Sequence, residues 1–364
     1  MPMKMSSRER LRRCYCNEQL DRPGIYIRDA YPQNDVTYDR LKAFINSSTD
    51  LKYRWSPCWT KKDSLHSHHI EPYNKNFDRH VSILYTPCGN LKSVRLESLK
   101  GQPGLQSEYL LKTRQDAEMY LSLPMNITEC EVSGFFESDQ KVGHRGITEV
   151  QLGLNPAGFV AELFGSEMFA IISVTDRDII HQLCQQHMSI IMEQLKFLAD
   201  KKVGPYFAML GQEYIVPPLH SPADFYDFNV KYDKLIIDFI HEIGGRIHIH
   251  SHGSIKKVFR GFIDMGVDVL HPIEAPPMGD ITASEAKDLA RNKICLEGNI
   301  QIASMYENSP DQIHEETITL INNIFDDGKG LIVCPTASPY MFGKGFTCFE
   351  QFKTMIETVL EWHQ

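Results

Sequence analysis

Short apolar runs and amphipathic stretches alternate through the second half of the chain, and this alternation is its clearest pattern. Apolar runs predict buried strands, and apolar residues at every third or fourth position predict helices between them. The predicted strands cover 206–210, 246–252, 267–273, 293–296 and 330–334. The predicted helices cover 178–200, 225–243, 255–265, 283–291, 310–325 and 349–362.

Local stop and start signals support these boundaries. The pair Gly244-Gly245 ends one helical pattern, and Ser309-Pro310 begins another. Strand and helix alternating five times in succession predict parallel strands joined by right-handed crossovers. Neither a G-x-G-x-x-G fingerprint nor a P-loop is present, so a nucleotide-binding open sheet is disfavoured. We therefore expect an α/β fold of the (β/α)8 TIM-barrel class.

The first half gives weaker patterns. It predicts a short basic helix over 7–16, a strand over 23–28, a hairpin pairing 80–87 with 91–96, helix within 107–123, and a strand over 148–154. The stretch 55–76 has little periodicity and predicts a loop, with His66, His68 and His69 as solvated residues. The expected organisation is one barrel domain over 1–364, with residues 1–75 as an N-terminal extension packed on it.

Composition narrows the class of protein. Hydrophobic residues make up 42% and charged residues 23%, which excludes a mainly disordered chain. No run of about 18 apolar residues predicts a membrane span, and a net charge of −9 disfavours nucleic acid as a partner. The nine cysteines contain no C-x-x-C pair, which favours free thiols. The first residues contain no apolar signal region, so we expect a cytoplasmic protein.

Polar residues are concentrated where the predicted strands end. His250 and His252 have the same strand parity, so their imidazoles can converge on one metal ion. Glu274 follows the next strand and supplies a carboxylate as a third ligand. His248 has the same parity but lies one layer deeper, where we expect a hydrogen-bonded core residue. The alternative is that these histidines only form hydrogen bonds at a polar barrel mouth.

Several segments in order resemble the uroporphyrinogen decarboxylase (URO-D) family in its wide sense. They are TPCGNL, SPADFYDF, IHEIGGRIHIHSHG, GVDVLHPIEAPPMGD and LEGNI, together with the opening at 7–23. The resemblance covers nearly the whole chain and implies a distorted (β/α)8 barrel. The family contains porphyrinogen decarboxylases and corrinoid-dependent methyltransferases, the latter including the methylcobamide:coenzyme M type.

The resemblance is closer to the methyltransferase branch, in which H-x-C-G, a downstream Glu and a late Cys bind zinc. His250 and Glu274 match that pattern, His252 stands in place of the first Cys, and Cys334 precedes the register of the late one. Two His and one Glu leave zinc a stronger Lewis acid than thiolates would, which favours an ether or similar methyl–heteroatom bond. Because the chain has no D-x-H-x-x-G motif, the corrinoid would arrive on a separate partner protein.

Two further residues are candidates for the chemistry. Glu213, after the strand at 206–210, is predicted to bind substrate or carry a proton, and Asn299 to orient substrate; a solvated carboxylate and a turn-forming Asn are the alternatives. The leading hypothesis is a zinc-dependent methyltransferase or demethylase subunit acting on a small methylated substrate.

Two other hypotheses remain open. The first is a metal-free decarboxylase of a tetrapyrrole or other carboxylated substrate, disfavoured because neither the R-Q-A-G-R-Y motif nor an arginine cluster is evident. The second is a non-catalytic binding protein on the same fold. A homodimer is also left open.

Overall fold

The computed structural model describes residues 5–60, 66–100, 104–124 and 129–362. Within them, eight parallel strands curve into a half-barrel with helices around it, which confirms the predicted distorted (β/α)8 barrel. A second sheet of four antiparallel strands is inserted after the second barrel strand. The strands are β1 (Gly24–Ile25), β2 (Leu51–Trp55), β3 (His66–Pro72), β4 (Phe77–Thr86), β5 (Gly89–Ser98), β6 (Leu105–Glu108), β7 (Gly146–Leu154), β8 (Tyr206–Leu210), β9 (Arg246–His250), β10 (Val269–His271), β11 (Cys295–Ile300) and β12 (Leu331–Pro335).

The helices pack mainly on the outer face of the barrel sheet. They are α1 (Ser7–Tyr15), α2 (Asp39–Ser48), α3 (Arg114–Leu121), α4 (Ser133–Val142), α5 (Pro156–Phe164), α6 (Ser166–Thr175), α7 (Arg177–Asp200), α8 (Pro222–Asp224), α9 (Lys231–Glu242), α10 (Phe259–Met265), α11 (Ala283–Ala290), α12 (Ser304–Glu307), α13 (Pro310–Ile324) and α14 (Phe349–Glu361). A π-helical turn, Phe225–Val230, joins α8 to α9. The predicted start of α13 is confirmed, since Ser309 forms a capping box with Gln312.

The barrel sheet has two ends, and they face each other. Its strand order is β1-β12-β11-β10-β9-β8-β7-β2, so β1 and β2 are the terminal strands. No ladder pairs β1 with β2 in the described residues, although the amide of Asp50 donates to the carbonyl of Ile25 at 2.9 Å and the Asp50 carboxylate accepts from the Ile25 amide at 3.0 Å. The barrel therefore has a seam between these strands.

The first half of the chain differs from its prediction in two places. Residues 1–75 contain β1 and β2, so the segment expected to pack on the barrel as an extension supplies both strands at its seam. The loop predicted over 55–76 is wrong for its second part, because His66–Pro72 is strand β3; residues 61–65 lie outside the described residues. β3 is a mainly exposed edge strand that, within the described part of the chain, pairs only with β4, so no buried face marks it in the sequence.

Two other predictions for the first half of the chain agree wholly or in part with the structure. The hairpin is confirmed, with Thr86 of β4 opposite Gly89 of β5. The helix predicted within 107–123 is α3, but the first two residues of that predicted range belong to strand β6. Among the described residues no single helix is long and apolar enough to cross a membrane; the pair α5 and α6, bent by 108°, passes by length and composition only.

Candidate active site

Polar side chains fill the inside of the barrel in layers. The deepest, called here the inner layer, consists of Tyr15, Lys52, Glu149, His248 and Glu297, all buried. The Lys52 ammonium donates to Glu297 and lies 3.8 Å from Glu149, and the Tyr15 hydroxyl donates to Glu149. The two nitrogens of His248 lie 3.7 Å from the same two carboxylates. The inner layer is therefore built on one lysine paired with two carboxylates, while the Glu297 Oε1 and the His248 Nε2 have no hydrogen-bond partner in the described structure.

Electrostatics within the inner layer follow from its burial. Burial raises the pKa of Glu297, and the neighbouring Lys52 ammonium opposes that rise. Burial, followed by the charge of Lys52, holds the pKa of His248 well below its ordinary value, so the ring is neutral. The prediction that His248 is a core residue agrees with this position.

The next layer toward the carboxyl ends of the strands, called here the mouth layer, consists of Tyr26, Arg28, Arg54, His250 and His271. A cavity of about 60 Å³ opens among the first four of these side chains and touches Lys52 below them. The Tyr26 hydroxyl and the Arg54 Nε are buried without a hydrogen-bond partner in the described structure. Arg28 has no carboxylate within ion-pair distance there, so the mouth layer holds polar groups that the protein itself does not satisfy.

Two imidazoles meet beside Arg28. His250 Nδ1 lies 2.8 Å from His271 Nδ1, and the Arg28 Nη1 lies 3.1 and 3.3 Å from these two atoms. The Nε2–H of His271 can donate to the Pro335 carbonyl at 3.2 Å, which leaves its Nδ1 as the acceptor. Burial and then the Arg28 charge lower the pKa of His250 to about 2 and that of His271 well below its ordinary value. Both rings are neutral, the form that ligates metals.

A group of three ligand atoms adjoins these histidines. The side chains of His271, Glu297 and Cys334 place one nitrogen, one oxygen and one sulfur atom within 4.8 Å of one another, and all three are buried. Burial raises the pKa of the Cys334 thiol, which a bound cation would oppose. Imidazole nitrogen, carboxylate oxygen and thiolate sulfur are the donors that zinc takes in proteins. This donor set fits zinc.

A third set of residues, called here the rim, lies nearer to solvent and consists of Glu213, His252 and Glu274. His252 Nδ1 lies 3.1 Å from the Glu274 carboxylate, which also accepts from the Gly253 amide at 3.1 Å. Burial would raise the pKa of Glu274, but these two hydrogen bonds bring it below its ordinary value. Burial raises the pKa of Glu213, whose carboxylate accepts from the Gly211 amide.

The four metal ligands predicted from the sequence are therefore divided between layers. His250 faces His271 in the mouth layer, Cys334 groups with His271 and Glu297, and the other two form the rim pair His252–Glu274. Asn299, predicted to orient substrate, donates its side-chain amide to the Ile273 carbonyl. The predicted residues His250, Asn299 and Cys334 lie in the carboxyl-terminal halves of β9, β11 and β12, and His252 and Glu274 follow β9 and β10.

Sequence reasoning missed five residues of the mouth layer and the metal-ligand group: Tyr26, Arg28, Arg54, His271 and Glu297. The statement that no arginine cluster is evident is wrong for the folded chain, because Arg28 and Arg54 line one cavity although 26 residues separate them. His271 lies on β10, within the predicted strand 267–273. It is three residues before Glu274, so the two residues have opposite strand parity, and nothing in the sequence favoured the choice of His271 as a ligand. Glu297 directly precedes Gly298-Asn299 and was noted only as a polar residue at a strand end, while the candidate role was given to the Asn.

Comparison with known proteins gives the family. A family model described as uroporphyrinogen decarboxylase (URO-D) matches residues 161–362. A methyltransferase from Methanosarcina mazei is similar in structure over 98% of this chain and 99% of that chain, at 14% sequence identity and a TM-score of 0.64. A D-psicose 3-epimerase solved in the presence of D-fructose covers 63% of this chain and 92% of that one, at 10% identity and a TM-score of 0.34.

The family model spans more than half of the chain, and the first of these structures shares its fold from end to end. No curated protein matches the chain by sequence. The carboxyl-end site described above thus lies on the barrel that this family is built on. The chain belongs to the uroporphyrinogen decarboxylase family.

Proposed function

We propose that the protein is a zinc-dependent methyltransferase or demethylase subunit that moves a methyl group between a small methylated substrate and a corrinoid protein. The observation that carries the proposal is the buried group of His271, Glu297 and Cys334 beside the neutral His250. The fold shared with a Methanosarcina mazei methyltransferase gives further support.

Zinc would be held by His271, Glu297 and Cys334, with His250 as the neighbouring imidazole. The sequence-based set of His250, His252, Glu274 and Cys334 is the alternative, and two of its members recur here. Bound zinc would supply Lewis acidity to polarise a methyl–heteroatom bond. Arg28 competes with zinc for the two imidazoles, because it contacts their Nδ1 atoms. Lys52 contacts only the Oε2 of Glu297, and the Oε1 has no hydrogen-bond partner in the described structure.

The mouth layer favours a substrate with an anionic group. Arg28 and Arg54 line one small cavity, and the Tyr26 hydroxyl and Arg54 Nε have no partner within the described residues. Guanidinium groups and a phenol hydroxyl are donors that a carboxylate, sulfonate or phosphonate can accept from. These three side chains would bind that group and orient the substrate's methyl group toward the histidines.

Glu213 is the proposed proton carrier at the rim. Burial raises its pKa, so it holds a proton at higher pH than an exposed glutamate does. It can therefore protonate the heteroatom that loses the methyl group. Asn299 would act indirectly, because its amide supports the backbone before Glu274 through Ile273.

Metal analysis of tag-free protein, purified without chelator, tests the proposal first. We expect about one zinc per chain, loss of zinc in His271→Ala, and retention in His252→Ala. Loss only in His252→Ala would instead support the ligand set taken from the sequence. Arg28→Met should bind zinc more tightly, because a competing cation is removed. No zinc in any sample, even after zinc addition, would reject a metal-dependent mechanism.

Turnover is measured separately, as methylation of cob(I)alamin by methylated thiols, amines and ethers that carry an anionic group. Zinc-loaded protein should methylate the corrinoid with at least one of these donors, and His271→Ala should not. If zinc binds but no donor reacts, the methyl-transfer part of the proposal fails while the metal site stands.

One observation favours a second function, decarboxylation of a carboxylated substrate without metal. The same arginine pair that would bind a sulfonate can bind the carboxylates of such a substrate. Release of carbon dioxide from a porphyrinogen or a simpler polycarboxylate by metal-free protein would establish it. A protein that binds such acids without turnover of any kind would instead be the non-catalytic member considered above.

A further inference from the structure

We propose that the seam between β1 and β2 carries a second ligand site, for a small molecule with an apolar or aromatic body and one anionic group. The site, called here the seam pocket, lies between Ile27 and Leu51 under Asn46, Lys141 and Arg145. It lies on the side of the barrel, and neither the family comparison nor the proposed chemistry assigns it a role.

The pocket exists because the sheet does not close. Asp50 joins β2 to Ile25, and the next residue, Tyr26, donates its amide to Val333 of β12 instead. The segment after β1 therefore follows β12, and a gap opens beside β2. The gap has a volume of about 560 Å³, within the range of small-molecule sites, and is bounded by α2 and α4.

The pocket's walls are mainly apolar. Ile27, Ile45, Leu51 and Val142 contribute aliphatic surface, and Tyr31 and Tyr53 contribute ring surface. Tyr53 is 46% exposed although it belongs to a barrel strand. Such a surface gains free energy when a ligand body removes it from water.

The charge of the pocket is opposite to that of the chain. The protein has a net charge of −9, yet Lys42, Lys141 and Arg145 line this pocket. Lys42 pairs with Asp39, but neither Lys141 nor Arg145 has a carboxylate within ion-pair distance among the described residues; Arg145 donates to the carbonyls of Asn46 and Thr49. Asp29, the acidic residue of the lining, is paired with Arg54.

The inner wall connects this pocket to the active site. Tyr26 and Lys52 line both the seam pocket and the mouth cavity. A ligand at the seam would therefore contact the same two side chains that border the substrate cavity. The proposal does not depend on the reaction, since the other residues that line the seam pocket do not line the mouth cavity.

The test uses 8-anilinonaphthalene-1-sulfonate, an aromatic anion whose fluorescence rises in apolar sites. We expect one saturable site on the full chain, weakened by high salt because exposed charges are screened. Asn46→Trp, which fills the pocket without changing charge, should weaken binding at least 10-fold. Lys141→Glu should weaken it about 5-fold, in line with an exposed ion pair. Lys293→Glu, at another exposed lysine without an ion pair in the described structure, should leave it unchanged.

Competition experiments identify whether the apolar part of the ligand is aromatic or aliphatic, and they test whether its anionic group is required. Displacement by indole-3-propionate but not octanoate indicates an aromatic ligand, and the reverse indicates an aliphatic one. Displacement by 1-octanol as effective as that by octanoate would overturn the anionic assignment. Unchanged binding in both Asn46→Trp and Lys141→Glu would overturn the site itself. Zinc content and thermal unfolding of Asn46→Trp, both expected to match wild type, separate this result from failure of the proposed function or of folding.

Discussion

The inner layer and the mouth layer of the barrel hold similar residues but use them differently. In the inner layer, Lys52 is 1% and Glu297 0% exposed at the side chain, and each has an opposite charge in contact. In the mouth layer of the described structure, the Arg28 guanidinium contacts two neutral imidazoles but no carboxylate, and the Tyr26 hydroxyl has no partner. Buried polar groups normally find partners within the protein.

This difference leads us to expect a structural role for the inner layer and a ligand-binding role for the mouth layer. A network of paired charges resists change, because removing one member leaves a buried charge alone. Unsatisfied donors in a cavity cost stability in the free protein and recover it when a ligand binds. We therefore expect variants of the inner layer to reduce stability, and variants of the mouth layer to reduce ligand binding and activity.

The largest expected effect is on the inner layer. Lys52→Met leaves Glu149 and Glu297 buried beside each other without a cation, and should lower the free energy of unfolding by about 3–5 kcal/mol. Chemical denaturation measures this loss. The double variant Lys52→Met/Glu297→Gln should recover part of it. Wild-type stability in Lys52→Met would erase the distinction between the two layers.

Asp233 adds a third case to the comparison of the two layers, because its carboxylate is buried and has no ion pair with a cation in the described structure. Asp233 accepts hydrogen bonds from Asn155 and Gln212 at 2.8–3.1 Å, and burial raises its pKa to about 7, opposed by these amides. Because the folded pKa lies above the unfolded value, its protonated form contributes stability that is full below about pH 4 and is lost as pH rises through 7.

The matched variant is Asp233→Asn, which cannot titrate. The difference in unfolding free energy between wild type and Asp233→Asn should shift against wild type by roughly 3 kcal/mol from pH 4.5 to pH 8. Denaturant titrations at several pH values give this difference. A difference that does not change with pH would mean that Asp233 is ionised throughout, as a carboxylate paired with a cation would be.

In the mouth layer, Arg54→Met should change stability by less than about 1 kcal/mol, since its guanidinium is only partly buried and its ion pair with Asp29 is near the surface. It should raise KM for an anionic substrate about 10-fold, because one donor to that group is lost. Steady-state kinetics and denaturation measure the two effects. Arg260→Met, an exposed arginine on α10, serves as control; a stability loss without a KM change would place Arg54 with the inner layer.

The smallest effect on stability is expected at the rim. His252 is 40% exposed at the side chain, and its contact with Glu274 lies near solvent. His252→Gln should therefore change the free energy of unfolding by less than roughly 0.5 kcal/mol. A loss of several kcal/mol would show that the rim pair is a structural contact of the same kind as Lys52–Glu297.

Several site residues on the clearly patterned strands of the second half could be predicted from the sequence, whereas those brought in from the distant first half could not. His250, His252, Glu274 and Cys334 lie on or just after recognisable strands and were singled out from parity and family motifs. Arg28 and Arg54 follow the short strand β1 and lie on β2, in the half of the chain where the pattern was weakest. Lys52 gave no signal either, because one buried lysine on a five-residue strand resembles an exposed lysine on an amphipathic one.

The sequence by itself determined the barrel, since apolar strands and amphipathic helices alternate locally and parallel strands must cross over in one hand. It also determined which ends of the strands carry polar residues. Only the tertiary structure decided which of those residues meet. The curvature of the sheet brings β1, β2 and β12 near one another from opposite ends of the chain, and the contact of Arg28 with His250 spans 222 residues. Local patterns carry no information about such contacts, because they arise from the curvature of the sheet and the stagger of its strands.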